Sequence, residues 1–387
     1  MNHSTPDPIV IVGAKRTPQG RFLGKLAGYS SLDLAMKAGQ AALGDIPPAA
    51  IDLTVVGNVL PPIINVSRQM SLQLGIPESA VCFTVNMLCA SGLKAITLAA
   101  NAIELGEAET VLCGGTESMS NAPHFLPRAR TGYRLGDGVL VDSLLLGLND
   151  PVIGEAMART AERLAERFQL SRKEQDQFAC ASQLKAVAAQ AEGHFAHELV
   201  ALPELDRDEH PRADTTVERL GSLKPVLGAG TTITAGNASG INDGAAMVVL
   251  CKLSTARRNG WKPLARFSAH AAIGCDPKVM GEGPVHAIRK LLANEGCDLN
   301  SFDTIELNEA FAAQALACLR QLKIDEGDPR MNRCGSSIAL GHPVGASGAR
   351  LTVHLANQIA QGRTQRGLAS LCVGGGMGIA AIIESID

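Results

Sequence analysis

The chain carries two copies of one pattern, and this internal repeat constrains its fold more than any other feature. Residues 90–101 read Ala-Ser-Gly-Leu-Lys-Ala-Ile-Thr-Leu-Ala-Ala-Asn, and residues 346–357 read Ala-Ser-Gly-Ala-Arg-Leu-Thr-Val-His-Leu-Ala-Asn. Both copies have apolar residues at the three- and four-residue spacing of a helix face. The offset of 256 residues, from 90 to 346, is far longer than a solenoid unit, and so it predicts two duplicated halves.

Strands surround the predicted helix in the same order in both halves. The first helix runs into the apolar segment 110–115 and the second into 369–375. Further upstream, residues 51–58 resemble residues 302–309. Strands that alternate with helices indicate the α/β class, here with two similar halves, mixed sheets and the duplicated helices packed between them.

The two halves differ by one insertion. The second half passes from a glycine-rich turn directly into the apolar strand 379–383, whereas the matching strand of the first half, 245–250, follows only after about 120 residues. That stretch contains helical patterns at 155–167 and 172–192. We therefore predict a three-part division: an N-terminal half of residues 1–119 with 240–256, an inserted domain of residues 120–239, and a C-terminal half of residues 257–387.

Composition excludes several classes of function. A net charge of −3 and the lack of a basic stripe argue against nucleic acid as a partner. No stretch reaches 18 consecutive apolar residues, and residues 1–8 have neither a basic region nor an apolar core, so neither a membrane span nor a signal peptide is predicted. Ten cysteines without a Cys-x-x-Cys pair indicate reduced thiols and a cytoplasmic protein. His194 and His197 lack the His-Glu-x-x-His order, and no metal site is predicted.

Cys89 is the first candidate for a nucleophile. It lies in the turn 86–92, Asn-Met-Leu-Cys-Ala-Ser-Gly, directly before the first predicted helix. The thiolate is the reactive form of cysteine, so a catalytic cysteine needs a helix N-terminus or a basic neighbour. The helix therefore favours an ionised nucleophile over a buried structural thiol, and the small residues Ala90 and Gly92 let a bulky substrate approach.

A second cysteine and a histidine also lie in turns of small residues. Cys372 precedes the glycines of residues 374–378, and His342 lies in the loop 341–348, Gly-His-Pro-Val-Gly-Ala-Ser-Gly. The glycines are not a dinucleotide-binding loop, because a strand-like run follows them where such a loop requires a helix. They are suited to present backbone N–H groups to an oxyanion. Two cysteines and a histidine in such turns predict acyl transfer through a thioester.

Asn308 follows the predicted strand that ends at residue 307. Asn is favoured as a helix N-cap, which is the structural interpretation of this residue. Its position at the strand end, beside the other candidate loops, favours a role in orienting a water molecule or a carbonyl group.

These motifs are similar to those of the thiolases, the family of acetyl-CoA acetyltransferases and 3-ketoacyl-CoA thiolases. The resemblance extends from residues 11–18 to the C-terminal glycine-rich strand. Its most specific parts, in the family's order, are the Cys89 turn and residues 234–245, 308–311, 341–343 and 372–376.

The resemblance implies a role for each candidate. Cys89 would attack an acyl-CoA and carry the acyl group, with His342 as the base that generates the thiolate. Cys372 would move the second proton, to or from the α-carbon of acetyl-CoA. A water molecule on Asn308, together with His342, would stabilise one oxyanion, and the N–H groups of Cys89 and Gly374 the other.

The resemblance also implies the ligands and the assembly. Coenzyme A and acyl-CoA would be substrates, with no permanently bound cofactor, and the inserted domain would hold them, with Arg212 near the nucleotide and Ser239 near the pantetheine. The fold would be the α-β-α-β-α layers of a thiolase. The protein would be a cytoplasmic homodimer or homotetramer in fatty acid metabolism.

The chain departs from the family pattern at four positions. Residues 155–158 read Glu-Ala-Met-Ala where acetoacetyl-type enzymes usually have Tyr-His-Met-Gly, so Ala156 replaces a histidine that lines the substrate site. Ser336, Glu282 and Arg219 also replace the usual residues. A smaller side chain at position 156 predicts room for acyl chains longer than acetoacetyl.

Several functions therefore remain open at this point. The favoured one is reversible condensation and thiolysis of the acetyl-CoA C-acetyltransferase type, and the alternative is a degradative 3-ketoacyl-CoA thiolase of broader chain length. A decarboxylating ketosynthase is disfavoured because such enzymes lack the second cysteine. A catalytically idle thiolase-like subunit of an acyltransferase complex is the remaining alternative.

Overall fold

A computed structural model describes residues 7–386 of the chain. The interpretation of residues 1–8 as containing no signal peptide therefore falls mostly on residues 1–6, outside the described part. The strands are β1 Ile9–Arg16, β2 Gly20–Arg21, β3 Leu53–Gly57, β4 Val81–Val85, β5 Thr110–Ser118, β6 His124–Phe125, β7 Val141–Asp142, β8 Asn149–Asp150, β9 Glu155–Ala156, β10 Asn242–Lys252, β11 Ala265–Gly274, β12 Thr304–Leu307, β13 Arg366–Val373 and β14 Met377–Glu384. The α-helices are α1 Ser31–Leu43, α2 Val66–Gln73, α3 Ser91–Glu104, α4 Ser143–Gly147, α5 Met157–Arg167, α6 Arg172–Ala191, α7 Val217–Gly221, α8 Leu253–Asn259, α9 Gly283–Glu295, α10 Ala312–Leu322, α11 Ser337–Leu340 and α12 Ser347–Ala360.

The strands confirm the predicted duplication. In the first half β3 pairs parallel with β5, β5 antiparallel with β10, and β10 antiparallel with β1. In the second half β12, β13, β14 and β11 pair in the same order and with the same directions. The two halves are joined where β1 and β11 pair over two residues, Val10 with Arg266 and Ile11 with Ala265. Strand β4 lies at the edge of the first half, parallel to β3.

Five layers result from the way the apolar faces are covered. Helices α3 and α12 lie in the centre, packed against the inner faces of strands from both halves. Helices α1 and α2 cover the outer face of the first half, and α9 and α10 that of the second. Each strand of the central region is apolar on both faces because helices cover both sides. The predicted α-β-α-β-α fold is confirmed.

Two equivalent glycines let the central helices approach each other closely. A Cβ atom on Gly92 of α3 would lie 2.9 Å from the backbone nitrogen of Ala349, and one on Gly348 of α12 would lie 2.7 Å from the nitrogen of Leu93. No larger residue fits at either position without a shift of backbone. The contact brings the first turns of both helices together, and with them the loops that carry Cys89 and His342.

Between β5 and β10 the chain forms α4 to α7 and two short hairpins, β6 with β7 and β8 with β9. Helix α5 starts two residues later than the predicted 155–167, because Glu155 and Ala156 pair with Asp150 and Asn149 in the second hairpin. The three-part domain division of the chain stays a prediction. Within residues 7–386, no helix has both the length and the apolar character needed to cross a membrane.

Candidate active site

A cavity of about 90 Å³ lies where the loops of the two halves meet. Its wall is mostly apolar, and Cys89, His342 and Ser239 are the residues that bring reactive or polar side chains to it. The remaining lining residues are Val59, Leu60, Leu88, Met119, Leu144, Gly147, Leu148, Met157, Met280, Ala310, Phe311, Val344 and Gly374. An apolar wall with a few converging polar groups is typical of a substrate site.

Cys89 is held in a short turn of residues 88–90 directly before α3. Leu88 has a φ of 47°, in the left-handed region that branched residues rarely adopt. The Ser91 hydroxyl holds the turn in place: it accepts a hydrogen bond from Met87 N at 2.8 Å and donates one to Leu88 O at 2.7 Å. Backbone strain of this kind concentrates at functional sites, and here it lies next to the candidate nucleophile.

The structure corrects the prediction that the helix N-terminus ionises Cys89. Burial raises the pKa of Cys89 to about 11, and this outweighs the backbone N–H of Gly374, which lowers it. Desolvation disfavours the charged form of any group taken out of water, and the sequence pattern did not show how deeply Cys89 lies. Cys89 is therefore a neutral thiol at rest, and acyl transfer needs a base.

His342, which lines the same cavity, is the candidate for that base. The Ser347 hydroxyl donates to Pro343 O at 3.0 Å, so its oxygen is free to accept from His342 Nδ1, 2.6 Å away. This arrangement puts the ring proton on Nδ1 and leaves a lone pair on Nε2, which has no hydrogen-bond partner among residues 7–386. Burial, and then Arg350, lower the pKa of His342 to about 4. The imidazole is thus neutral at pH 7 and able to take a proton.

The loop of His342 is anchored by Asn242, the first residue of β10. The backbone N–H of His342 donates to Asn242 Oδ1 at 3.0 Å, and Asn242 Nδ2 donates to Gly20 O at 2.8 Å. Gly341 has a φ of 105°, and a Cβ atom there would lie 2.4 Å from Asn242 Cγ. Only glycine fits this turn. Asn242 lies within the family motif of residues 234–245, and its anchoring role is visible only in the folded structure.

Glu117, at the end of β5, joins two loops of the cavity wall. Its carboxylate accepts from the backbone of Val59 at 3.0 Å and of Leu60 at 3.1 Å on one side, and of Gly345 at 3.0 Å on the other. It also accepts from Asn58 Nδ2 at 2.8 Å. The sequence analysis missed Glu117. The signal that could have found it is an acidic residue in a strand otherwise made of apolar and small residues.

Cys372 is the second thiol of the site and is fully buried near the end of β13. It packs with Met157, Met280 and Ala310, all of which line the cavity. Burial, and then the proximity of Cys89, raise the pKa of Cys372 well above its ordinary value. The structure therefore brings the two predicted thiols together, both protonated at rest.

Asn308 is buried behind the cavity wall and is not one of the lining residues. The alternative interpretation of Asn308 as a helix N-cap does not hold: α10 begins at Ala312, and Phe311 holds the N-cap position. The backbone N–H of Asn308 donates to Ser370 O, and its Oδ1 accepts from the Ser337 hydroxyl at 2.6 Å. These bonds keep the segment out of the helix. Its Nδ2 has no hydrogen-bond partner in the described part of the chain, so it is a free donor, as a water-holding role requires.

The two residues predicted to hold coenzyme A lie in different places. Ser239 lines the cavity, and its backbone N–H donates to Ala310 O at 2.9 Å. Arg212 is exposed and is not part of the cavity wall. Of the neighbouring pair at the departure from the family pattern, Met157 lines the cavity and Ala156 does not.

The sequence as a whole matches the two parts of one family. The description "Thiolase, N-terminal domain" matches residues 9–254, and "Thiolase, C-terminal domain" matches residues 261–385. An acetyl-CoA acetyltransferase of Allochromatium vinosum is 43% identical over 390 aligned residues, which cover 97% of this chain and 98% of the relative. The mitochondrial 3-ketoacyl-CoA thiolase of Homo sapiens is 41% identical over 391 residues, with 97% and 98% covered.

Solved structures show the same likeness. The human mitochondrial 3-ketoacyl-CoA thiolase in complex with CoA has a TM-score of 0.96 and 41% identity, with 98% of each chain covered. The Bacillus anthracis acetyl-CoA acetyltransferase has a TM-score of 0.94 and 39% identity, with 98% of this chain and 99% of that chain covered. Fold, motif order and sequence identity agree over nearly the whole length, and the chain belongs to the thiolase family of acyltransferases.

Proposed function

We propose that the protein transfers acyl groups through a thioester on Cys89, in reversible condensation of acetyl-CoA with acyl-CoA and thiolysis of 3-ketoacyl-CoA. The observation that carries this proposal is the presence of a half-buried, protonated thiol and a neutral imidazole on the wall of one apolar cavity. A base that is neutral at rest can take the thiol proton at the moment of attack.

In the first half-reaction Cys89 attacks the thioester carbonyl of an acyl-CoA. The thiol proton passes to His342 Nε2, and the carbonyl oxygen becomes an oxyanion beside the N–H groups of Cys89 and Gly374. When the carbonyl re-forms, the bond to the CoA sulfur breaks and His342 returns the proton to that sulfur. The acyl group remains on Cys89.

In the second half-reaction Cys372 acts as the base. Its thiol proton passes to His342, which has just returned its own proton to CoA, and the thiolate so formed takes a proton from the α-carbon of acetyl-CoA. The enolate oxygen is stabilised by the His342 imidazolium and by a water molecule held by Asn308. The carbanion attacks the acyl carbonyl, the bond to Cys89 breaks, the Cys89 sulfur takes the proton held by His342, and 3-ketoacyl-CoA leaves. Thiolysis follows the same steps in reverse.

The substrate we favour is a short acyl-CoA, as in an acetyl-CoA C-acetyltransferase. The cavity is small, about 90 Å³, and Met119, Met157 and Met280 are among the residues that line it. Several bacterial relatives are named acetyl-CoA acetyltransferase. A broader-chain 3-ketoacyl-CoA thiolase is the second candidate, favoured by the 41% identity to the human enzyme of that name.

The proposal extends to how CoA is held and how the protein assembles. We infer that residues 120–239 hold CoA as a substrate, with Ser239 near the pantetheine and Arg212 near the nucleotide. We also infer a cytoplasmic homodimer or homotetramer. The edge strand β4 supports assembly, because Val81 is 63% and Phe83 37% exposed on a strand edge open to pairing.

Labelling with radioactive acetyl-CoA tests the acyl-enzyme directly. We expect peptide mapping to recover the label on Cys89, and the Cys89→Ser variant to take up none, since a serine hydroxyl is far less ionised than a thiol. Label on Cys372 in place of Cys89 would overturn the assignment. An unlabelled, inactive wild-type protein would favour the idle-subunit alternative.

A further inference from the structure

Outside the acyl-transfer cavity, Cys334 and the α12 residue His354 line a separate pit. The pit has a volume of about 170 Å³. Cys334, His354, Gln358 and Thr304 are buried in it, and the more exposed residues His194, Arg333 and Arg363 form its rim. None of these residues lines the acyl-transfer cavity.

His354 lies between Cys334 and a buried carboxylate. Its Nδ1 lies 2.9 Å from Glu198 Oε2, and its ring lines the same pit as Cys334. Glu198 is itself fixed by Arg16, whose Nε donates to Oε1 at 2.7 Å. A cysteine, a histidine and a carboxylate are therefore grouped as they are in a catalytic triad, in which the carboxylate stabilises a protonated ring.

The charges around His354 favour the imidazolium form. Burial alone lowers the pKa of His354, but Glu198 and Cys334 together raise it well above its ordinary value. On the other side, Glu306 Oε1 lies 4.0 Å from His354 Nε2 and has no hydrogen-bond partner among residues 7–386. Two carboxylates, Glu198 and Glu306, thus face the ring. The nearby cations are Arg16, which is paired with Glu198, and Arg350, which is paired with Glu306.

A second histidine and two arginines complete the surroundings of Cys334. His194 Nδ1 lies 3.5 Å from Cys334 Sγ, and Arg333 and Arg363 add positive charge at the rim. A protonated histidine next to a cysteine favours the thiolate, the form that reacts with electrophiles. Residues 7–386 contain no group of three or more His, Cys, Asp or Glu side chains placed to bind a metal ion, so the cluster is better suited to a reaction of the sulfur.

We propose that Cys334 is a second nucleophilic site of the protein, one that reacts with hydrogen peroxide. The thiolate sulfur attacks one peroxide oxygen, the O–O bond breaks, and the sulfur is oxidised by two electrons to sulfenic acid. The hydroxide that leaves takes the proton of the His354 imidazolium and becomes water. This reaction is independent of acyl transfer and uses none of the residues assigned to it.

The dimensions of the pit select a small oxidant. Cys334 is only 3% exposed, and a pit of this volume holds several water-sized molecules. Peroxide has two oxygen atoms and fits where a bulky thiol reagent does not. Cys89 offers a contrast, because its neutral histidine and its pKa of about 11 leave it protonated and slow towards peroxide.

Peroxide treatment of the reduced wild-type protein tests the proposal. The sulfenic acid is trapped with dimedone, and the adduct is followed at each cysteine by peptide mass spectrometry. Cys297 is the matched control, because it is more exposed than Cys334 and lies 4.0 Å from Arg366 Nη2. We expect the adduct to form on Cys334 about tenfold faster or more, since an ordinary thiol is only a few per cent ionised at pH 7.

Two results would overturn the proposal. One is adduct formation on Cys297 or Cys89 as fast as on Cys334. The other is an unchanged rate at Cys334 in a folded His354→Gln variant, which lacks the imidazolium and should react at the rate of Cys297. Because His354 is buried among charges, the comparison of the two peptides in the wild-type protein decides the matter should that variant not fold.

Discussion

Two sites of the molecule combine a cysteine with a buried histidine, Cys89 with His342 and Cys334 with His354, and they differ at Nδ1 of the ring. At Cys89 that nitrogen of His342 donates to a neutral hydroxyl, Ser347. At Cys334 that nitrogen of His354 meets the carboxylate of Glu198. The pKa of His342 falls to about 4, whereas that of His354 rises well above 6.5. Both rings are buried, which lowers the pKa of each; at His354 the Glu198 carboxylate and Cys334 outweigh burial, whereas at His342 Arg350 adds to it and no carboxylate opposes it.

The difference suits the two sites to different chemistry. Acyl transfer passes one proton from the thiol to the ring and back to the leaving group, so the ring must start neutral. A ring held as an imidazolium cannot take that proton, but it places a positive charge beside the sulfur. One protein therefore offers a neutral base to Cys89 and a cation to Cys334.

The same shifts predict opposite effects of pH on stability. The pKa of His342 is lower in the folded than in the unfolded state, so its contribution to stability is complete above pH 6.5 and is lost as the pH falls towards 4. The pKa of His354 is higher in the folded state, so its contribution is present below pH 6.5 and is lost as the pH rises through the folded value. Denaturant unfolding of His342→Gln and His354→Gln against pH measures the two contributions separately.

The largest expected effect concerns the second thiol of the acyl-transfer site. We expect Cys372→Ala to leave Cys89 able to accept an acetyl group but to slow proton exchange at the acetyl-CoA methyl group by a factor of about 100 to 10,000, the usual contribution of a positioned base. Cys113→Ala, which removes a buried thiol from β5, is the matched control. An exchange rate equal to that of the control would remove Cys372 from the mechanism.

An intermediate effect is expected from giving His342 a carboxylate partner like the one that His354 has in Glu198. Ser347→Asp places a carboxylate behind His342, and an opposite charge at that distance raises a histidine pKa by about 1 to 3 units. The acidic limb of the kcat/KM profile, expected near pH 4 in the wild type, should move upward by that amount. Ser347→Ala removes the hydroxyl without adding charge and should leave the limb near its original position. Identical profiles for the two variants would contradict the role given to the group behind the ring.

The smallest effect concerns chain length. Each additional buried methylene contributes about 0.8 kcal/mol, close to fourfold in kcat/KM, where the pocket has room for it. If the small residue at Ala156 enlarges the site, 3-ketoacyl substrates of six and eight carbons should be favoured over four, and Ala156→His should reverse this order. Strict preference of the wild type for the four-carbon substrate would contradict an enlarged site and would indicate that Met157, which lines the cavity, limits the chain length.

Much of the fold was predictable because the repeat is local. The helices at 90–101 and 346–357 and their following strands have the periodicity of their elements, and each was found near its expected bounds. Asn308 was different. Its segment reads as a helix start, but bonds to Ser370 and Ser337 hold it extended, and those partners are distant in sequence.

The candidate reactive residues of the site could be predicted from the sequence, but their protonation states could not. Cys89, His342 and Cys372 stand in recognisable turns, whereas Glu117 and Asn242 act through bonds between loops that no local pattern records. The charge on Cys89 depends on burial, which is set only when the two halves close over it. Sequence context therefore selected Cys89 as the candidate nucleophile but did not predict that burial raises its pKa.

Nuclear magnetic resonance of the histidine rings tests the central claim most directly. In protein with labelled histidine, signals assigned through His342→Gln and His354→Gln would be followed from pH 5 to 8.5. We predict that His342 is neutral throughout, with its proton on Nδ1, and that His354 is an imidazolium at pH 7. A protonated His342 together with a neutral His354 at pH 7 would contradict the account.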